Sequence, residues 1–161
     1  MKNIIKKILN EEVNQKVISK VLSQINQGKI KPPYIKNLDM IGLYGDEIKM
    51  VMETHFGGEF KSNKVKGPKV EYRESSDGDF WELRRYDDNN NLIYTEDTGH
   101  WEKYEYDENN NEIFYITNTG TWEEREYDEN GNQIYFGNSK GRKVRYYYDE
   151  NGNQINWEVI S

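Results

Sequence analysis

The fold is decided by residues 122–134, WEEREYDENGNQI, because the same pattern occurs four times in the chain. Its common form is W-E-x-x-x-Y-D-x-N-x-N-x-I, and the copies begin at Trp81, Trp101, Trp122 and, with lysine in the tryptophan position, Lys143. Each copy ends in an isoleucine: Ile93, Ile113, Ile134 and Ile155, spaced by 20, 21 and 21 residues. A period of 20 or 21 residues in successive copies indicates a repeat protein.

Each copy has the pattern of a β-hairpin. The first run, such as Trp101–Tyr106, is rich in strand-forming residues and alternates between two sets of side chains. The Asp-x-Asn-x-Asn segment that follows is typical of a turn, because Asp and Asn bond to nearby backbone and tolerate positive φ. A return strand such as Ile113–Ile116 completes the hairpin, and a glycine-containing turn leads to the next copy. With an opening strand near Val70–Arg73, the pattern predicts eight or nine strands in an antiparallel meander.

The Tyr-Asp dipeptides of these copies carry a family resemblance. They occur at 86–87, 106–107, 127–128 and 148–149, and the last is followed by Glu150-Asn151-Gly152-Asn153. Over roughly residues 76–160 the pattern resembles the YD repeat of bacterial RHS proteins. Members of that family wind long arrays of hairpins into shells or spirals at cell surfaces, often around a toxin. For this chain the resemblance implies hairpin geometry.

Two sets of aromatic residues recur in the copies. The tryptophans lie five residues before the tyrosines of the Tyr-Asp dipeptides, and an odd separation places side chains on opposite faces of a strand. The sequence therefore predicts one aromatic row on each face of the sheet, either packed in a core or exposed for binding. The candidate binding residues are Trp81, Trp101, Trp122, Tyr86, Tyr106, Tyr127 and Tyr148.

The first part of the chain has helical periodicity instead. Apolar residues recur every three or four positions from about residue 3 to residue 27, and Gly28 ends the pattern. Further helices are predicted over residues 34–41 and from Asp46 to Gly57. The predicted organisation is a helical region at 1–57, a linker at 58–68 and a hairpin repeat domain at 69–161. The predicted class is α+β, with N-terminal helices packed on a C-terminal antiparallel β-meander of four hairpin repeats.

Charge differs between the two parts. The chain has 161 residues and a net charge of −7, yet residues 1–66 carry 12 Lys/Arg against 7 Asp/Glu, whereas residues 67–161 carry 10 against 22. A sheet region at −12 repels nucleic acid and anionic membranes and suits a basic protein surface. We expect the basic first helix to dock on the acidic sheet of its own chain.

Composition also bears on location. No apolar run reaches about 20 residues, so no membrane span is expected. Lys6 and Lys7 interrupt the apolar segment at the start, so we expect no signal peptide. The chain has no cysteine, which excludes disulfides and thiolate metal sites. We expect a cytoplasmic protein.

Motifs that carry chemistry are few. The Asp-x-Asn-x-Asn segments share the first positions of a calcium-binding loop, but no acid occupies position 12, which indicates a plain turn. His55 lies on the apolar face of a predicted helix and His100 in a turn, and no motif for nucleophilic, zinc or phosphate chemistry occurs. The sequence therefore predicts no catalytic residue, no metal site and no cofactor, and we expect a protein that is not an enzyme.

The expected function is non-catalytic protein binding through the acidic, aromatic-rich sheet, with a partner that has a basic surface. Two alternatives stay open. One is a phage-type inhibitor that mimics nucleic acid and blocks a nucleic-acid-processing or defence enzyme, and the other is a carbohydrate-binding module that uses the tryptophan row. We expect no direct nucleic-acid binding and no membrane attachment. Because a meander of this size leaves open edges, a homodimer formed through sheet edges is a further expectation.

Overall fold

A computed structural model describes residues 15–43, 45–61, 64–66 and 69–160. The class is α+β, as predicted: among the described residues, three helices precede eleven β-strands that follow one another in an antiparallel meander. The chain divides into two compact units, Met1–Leu83 and Arg84–Ser161.

The helices of the first unit agree with the sequence periodicity where they are described. Helix α1 covers residues 15–26 of the described range, and the part of the predicted first helix at residues 3–14 lies outside the described residues. Helix α2 is Tyr34–Met40, and α3 is Asp46–Phe56. Gly57 follows α3 as its C-terminal cap, with a φ of 67°. Glycine adopts this left-handed conformation readily, whereas a residue with a Cβ atom would be strained there. The helices bury Ile18, Val21, Ile25, Leu38, Ile48, Val51, Met52 and Phe56.

The strands of the first unit include two that the sequence does not predict. They are β1 (Glu59–Lys61) and β2 (Lys64–Lys66), which pair antiparallel within the segment predicted as a linker, 58–68. Strand β2 pairs in turn with β3 (Val70–Glu74), and α3 packs against all three strands. Strands of three residues are too short to display an alternating pattern, so the segment reads as a linker in sequence. The strand count is eleven for this reason, rather than eight or nine.

A buried carboxylate in the first unit joins α2 to β3. Pro33 precedes α2 and provides no side-chain cap. Instead, the backbone N–H groups of Ile35 and Lys36 each donate a 2.8 Å hydrogen bond to Glu74, whose residue is only 2% exposed. The Tyr72 hydroxyl donates to Glu74 at 2.6 Å and accepts from the N–H of Tyr34 at 2.9 Å. Glu74 thus satisfies donors that the first turn of a helix leaves without intrahelical partners.

In the second unit, as far as residues 84–160 are described, every regular element is a strand. Strand β4 (Trp81–Tyr86) contains the boundary between the units. The strands that follow are β5 (Leu92–Asp97), β6 (Trp101–Tyr106), β7 (Glu112–Thr117), β8 (Trp122–Tyr127), β9 (Gln133–Asn138), β10 (Lys143–Tyr148) and β11 (Gln154–Val159). Within residues 84–160 the structure describes no helix.

Three strand pairs contain a β-bulge at the same place in the sequence pattern. In the β6–β7 pair, Glu105 lies opposite Phe114 but Tyr106 lies opposite Glu112, so Ile113 is an extra residue. The β8–β9 and β10–β11 pairs skip Ile134 and Ile155 in the same way. The isoleucine that ends these copies is therefore a bulge residue, and bulges increase the local twist of a sheet.

Candidate binding surface

The register assigns the side chains of the second unit to two faces. Trp101, Lys103 and Glu105 alternate with Glu102, Tyr104 and Tyr106 along β6, and residues directly opposite each other share a face. We call the two surfaces the Trp face and the Tyr face. The Trp face includes Tyr94, Trp101, Lys103, Phe114, Ile116, Trp122, Glu124, Tyr135, Gly137, Lys143 and Arg145. The Tyr face includes Glu102, Tyr104, Tyr106, Tyr115, Glu123, Arg125, Tyr127, Phe136, Val144 and Tyr148.

This assignment confirms the predicted opposition of the rings in β6 and β8. Trp101 and Tyr106 lie on different faces, and so do Trp122 and Tyr127. Trp81 belongs to the first unit, where it is only 8% exposed, so its ring is part of that unit's core. The candidate tryptophans are thus one core residue and two half-buried residues of the Trp face.

The tyrosines of the Tyr face serve the sheet itself. The hydroxyls of Tyr106 and Tyr148 donate to the backbone carbonyls of Leu92 and Gln133, at 3.0 Å and 2.8 Å. Burial raises the pKa of the Tyr106, Tyr127 and Tyr148 hydroxyls above the usual value near 10. Tyr86, the remaining candidate, is half-buried at the end of β4.

Glu102 collects three donors on the Tyr face. Tyr104 and Tyr115 both donate hydroxyl hydrogen bonds to its carboxylate, the second at 2.9 Å, and Nε2 of His100 lies 3.1 Å from it. The bond from Tyr104 contributes most to lowering the pKa of Glu102, and the bond to Glu102 raises the pKa of His100. A carboxylate held by so many donors suits anchoring better than proton transfer. The sequence pattern did not indicate this cluster, because its members come from two strands and a turn.

Side chains on the Trp face contact one another along and across the strands. Ile116 lies opposite both Lys103 and Trp122, and the Lys103 ammonium is 5.2 Å from the centre of a Trp101 ring. The Tyr135 hydroxyl donates to Glu124 at 2.7 Å. Side chains on this face are therefore positioned by contacts with one another, which lowers the entropy cost of binding.

The Asp-x-Asn-x-Asn segments form one turn in four places. In the turn after β6, Oδ1 of Asp107 accepts the N–H groups of Asn109 and Asn111, both at 2.9 Å, and Oδ2 accepts the Asn111 amide at 2.9 Å. The corresponding bonds occur at Asp87, Asp128 and Asp149. Bonds from the asparagines lower the pKa of Asp107, Asp128 and Asp149. These aspartate oxygens thus bind the turn itself, in agreement with the interpretation as a plain turn.

The four turns place acidic residues at one end of the strands. Consecutive strands run in opposite directions, so every second turn lies at the same end, and the Asn91 amide donates to Oδ1 of Asn110 in the neighbouring turn at 2.8 Å. Successive turns are separated by two strand spacings, roughly 10 Å. We call these residues the acidic end: Asp87, Asp88, Asp107, Glu108, Asp128, Glu129, Asp149 and Glu150. The turns at the opposite end, 98–100, 118–121 and 139–142, contain His100, Lys140 and Arg142, and Asp97 precedes the first of them.

The concentration of acidic residues at one end of the strands was not predicted. The four turns hold eight acidic residues, while the faces also carry acids beside the rings, such as Glu102 and Glu123 on the Tyr face and Glu124 on the Trp face. The alternation of turns between the two ends could have revealed it, because the acidic segments occupy every second turn.

The last strand, β11, is an exposed edge. It pairs with β10 on one side, and in the strand order no described strand follows on the other. All six of its residues are exposed, including Ile155 at 66%, Trp157 at 54% and Val159 at 56%.

The two histidines lie in different units, His55 in α3 and His100 in the turn after β5. His55 is half-buried, with its ring 5.5 Å from that of Tyr34 and 4.6 Å from that of Phe56, which agrees with a boundary position. In the part of the chain that the structure describes, no three histidine or acidic side chains come together as a metal site requires. None of the described helices is long and apolar enough to pass through a membrane.

Comparison of the chain with models of protein families, and with curated proteins, found no match.

Proposed function

We propose that the protein is a non-catalytic binding module whose second unit recognises a protein with a basic surface. The observation that carries the proposal is the acidic end, where four turns of the same geometry present carboxylates at intervals of roughly 10 Å. Hydrogen bonds from backbone and asparagine fix these turns, so the charges have a defined spacing before a partner arrives. Fixed charge complementary to a partner accelerates association and selects among partners.

The Trp face supports the same function with apolar surface. Trp101 and Trp122 are half-buried, and tryptophan is enriched among the residues that dominate protein interfaces. A partner that contacts both surfaces would combine electrostatic attraction with burial of indole rings.

The experiment is a capture assay with the full chain as bait and a lysate of the organism that encodes it. The test variant combines Asp88→Asn, Glu108→Gln, Glu129→Gln and Glu150→Gln, which removes four charges and keeps the aspartates that build the turns. The matched control combines Lys140→Gln and Arg142→Gln at the opposite end, and circular dichroism checks that both variants are folded.

We expect the native chain and the control variant to capture basic proteins. The test variant should not capture them, and the native chain should not capture them in about 1 M salt, where the Debye length is ~3 Å. Capture that persists with the test variant and in high salt would overturn the proposal. So would the absence of any protein enriched above a bead control.

Inhibition of a nucleic-acid enzyme by mimicry is a more specific form of the same proposal. The regular row of carboxylates favours it, because nucleic acid also presents negative charges at regular intervals. A captured partner that duplex DNA displaces would support mimicry, and a partner that DNA leaves bound would exclude it.

Carbohydrate binding is less well supported. A sugar stacks on an open indole ring, whereas the Lys103 ammonium lies over a Trp101 ring. Fluorescence of the tryptophans that does not respond to sugars would remove this alternative.

Two further expectations belong to the same proposal. We infer that β4 to β11 are four hairpins of the YD type, which the common hydrogen bonds at Asp87, Asp107, Asp128 and Asp149 support. We also infer a cytoplasmic location, which the lack of cysteine supports.

A further inference from the structure

The exposed edge strand β11 lacks the features that normally protect a sheet edge. Native edges are shortened or carry lysine, proline or inward charges that prevent pairing with another strand. Strand β11 has six residues, QINWEV, with one charged side chain, Glu158, and its carboxylate already accepts the Tyr147 hydroxyl. By contrast, β1 at the other end of the strand order has three residues, of which two are charged.

The backbone of β11 is oriented for pairing. The N–H of Ile160 donates to the carbonyl of Lys143, so Ile160 and, by alternation, Glu158 direct their backbone groups toward β10. The N–H and C=O groups of Trp157 and Val159 therefore point to the open side. The side chains of the same two residues, opposite Tyr146 and Val144, lie together on the Tyr face.

The sequence of β11 is complementary to itself in the antiparallel direction. When Trp157 is placed opposite Trp157 of a second copy, Ile155 falls opposite Val159. In the same register Glu158 falls opposite Asn156, so no like charges oppose each other. Antiparallel pairing of two identical edges also closes after two chains, whereas pairing β11 with β1 would continue as an open fibre.

We propose that β11 is a self-association surface and that its occupant is a second copy of this chain, paired antiparallel about Trp157. The surface differs from the acidic end, so this inference stands independently of the proposed function. A single strand and three apolar side chains form an interface at the small end of the specific range, below about 1,200 Å². The association is therefore weak and depends on protein concentration.

Charge substitutions test the pairing and its register in the full chain. Sedimentation equilibrium between about 1 μM and 1 mM should show dimers, and Val159→Lys should weaken association about tenfold or more, a change of ~1.4 kcal/mol. Met40→Lys adds the same charge at a residue that is 75% exposed in the first unit, and should leave association unchanged. Asn156→Lys should strengthen it, because each new lysine faces Glu158 of the other copy, and Asn156→Glu should weaken it.

Cysteine crosslinking tests the same register, and the native chain has no cysteine to interfere. Residues in a hydrogen-bonded antiparallel pair have Cα atoms about 5.5 Å apart, within the range of a disulfide. Trp157→Cys should therefore give a crosslinked dimer under mild oxidation, whereas Val159→Cys should not, because two copies of residue 159 are offset along the strands. A chain that stays monomeric at 1 mM, equal effects of Asn156→Lys and Asn156→Glu, or equal crosslinking of the two cysteine variants would overturn the proposal.

Discussion

Replacement of Glu74 by glutamine should destabilise the first unit strongly, although it exchanges only one carboxylate oxygen for an NH2 group. Both carboxylate oxygens are in use: one accepts from Lys36 N–H, and the other accepts from Ile35 N–H and the Tyr72 hydroxyl. A glutamine amide has one acceptor oxygen, so its NH2 group must face at least one of these donors. An unsatisfied buried donor costs about 1–3 kcal/mol, and hydrogen bonds to a charged group contribute about 1.5–3 kcal/mol each.

We therefore expect Glu74→Gln to lower the free energy of unfolding by about 3 kcal/mol, out of the roughly 5–15 kcal/mol typical of a folded domain. Urea denaturation followed by circular dichroism measures this change. Transitions of the two units should be fitted separately if they do not coincide.

The matched control is Glu59→Gln, the same substitution at an exposed carboxylate of β1, for which we expect a change within about 0.5 kcal/mol. Tyr72→Phe removes one donor to Glu74 and the acceptor for Tyr34 N–H, so its effect should not be additive with that of Glu74→Gln. A loss below about 1 kcal/mol for Glu74→Gln, or strict additivity of the two substitutions, would refute the reasoning.

Three further predictions concern the second unit. Gly131 has a φ of 81°, so Gly131→Ala should lower the free energy of unfolding in urea by about 1–2 kcal/mol. Gly131→Asn should lower it clearly less, because asparagine occupies the same position with positive φ in two other turns. Equal losses for the two variants would contradict this reasoning. A Cβ atom at Gly137 would lie 2.6 Å from Oε1 of Glu124, so Gly137→Ala should move this carboxylate away from the Tyr135 hydroxyl. Because the hydrogen bond to Glu124 raises the pKa of Tyr135, the variant should lower that pKa, which absorbance titration measures. An unchanged titration curve would contradict this prediction. Burial and a neighbouring carboxylate raise the pKa of Tyr115 to about 12, above the value of 10 in an unfolded chain. As the pH rises, the hydroxyl of Tyr115 therefore ionises in the unfolded state before it does in the folded state. Its contribution to the free energy of unfolding is complete below pH 10 and is lost between pH 10 and about 12. In Tyr115→Phe the free energy of unfolding should fall less steeply with pH over this range, and an unchanged slope would exclude a contribution from Tyr115.

The parts of the fold that depend on neighbours in sequence could be predicted. The turn at Asp107 needs only residues within four positions, and the positive φ of Asn110 and Gly131 follows from residue type. Helices α2 and α3 follow in the same way from local periodicity and glycine stops. The opposition of Trp101 and Tyr106 needs only the two-residue period of a strand.

The rest depends on contacts between distant segments. Glu74 lies 39 and 38 positions from the N–H groups it accepts, and no local pattern marks it as a helix cap. Trp81 occupies the same place in the pattern as Trp101, yet it is only 8% exposed and belongs to the other unit. The bulges at Ile113 and Ile134 were not predicted either, because a bulge appears only when two strands are aligned.

The consecutive strand order has a consequence for the kinetics of folding. Each strand pairs only with the strands that precede and follow it in the chain, so no strand pair of the sheet requires two segments that are distant in sequence to meet. Chains with such low contact order fold quickly, and their stability approaches a sum over neighbouring elements. Opening should then start at the terminal strands and advance one at a time, so backbone amides should exchange with solvent fastest in β11 and progressively more slowly in β10 and β9.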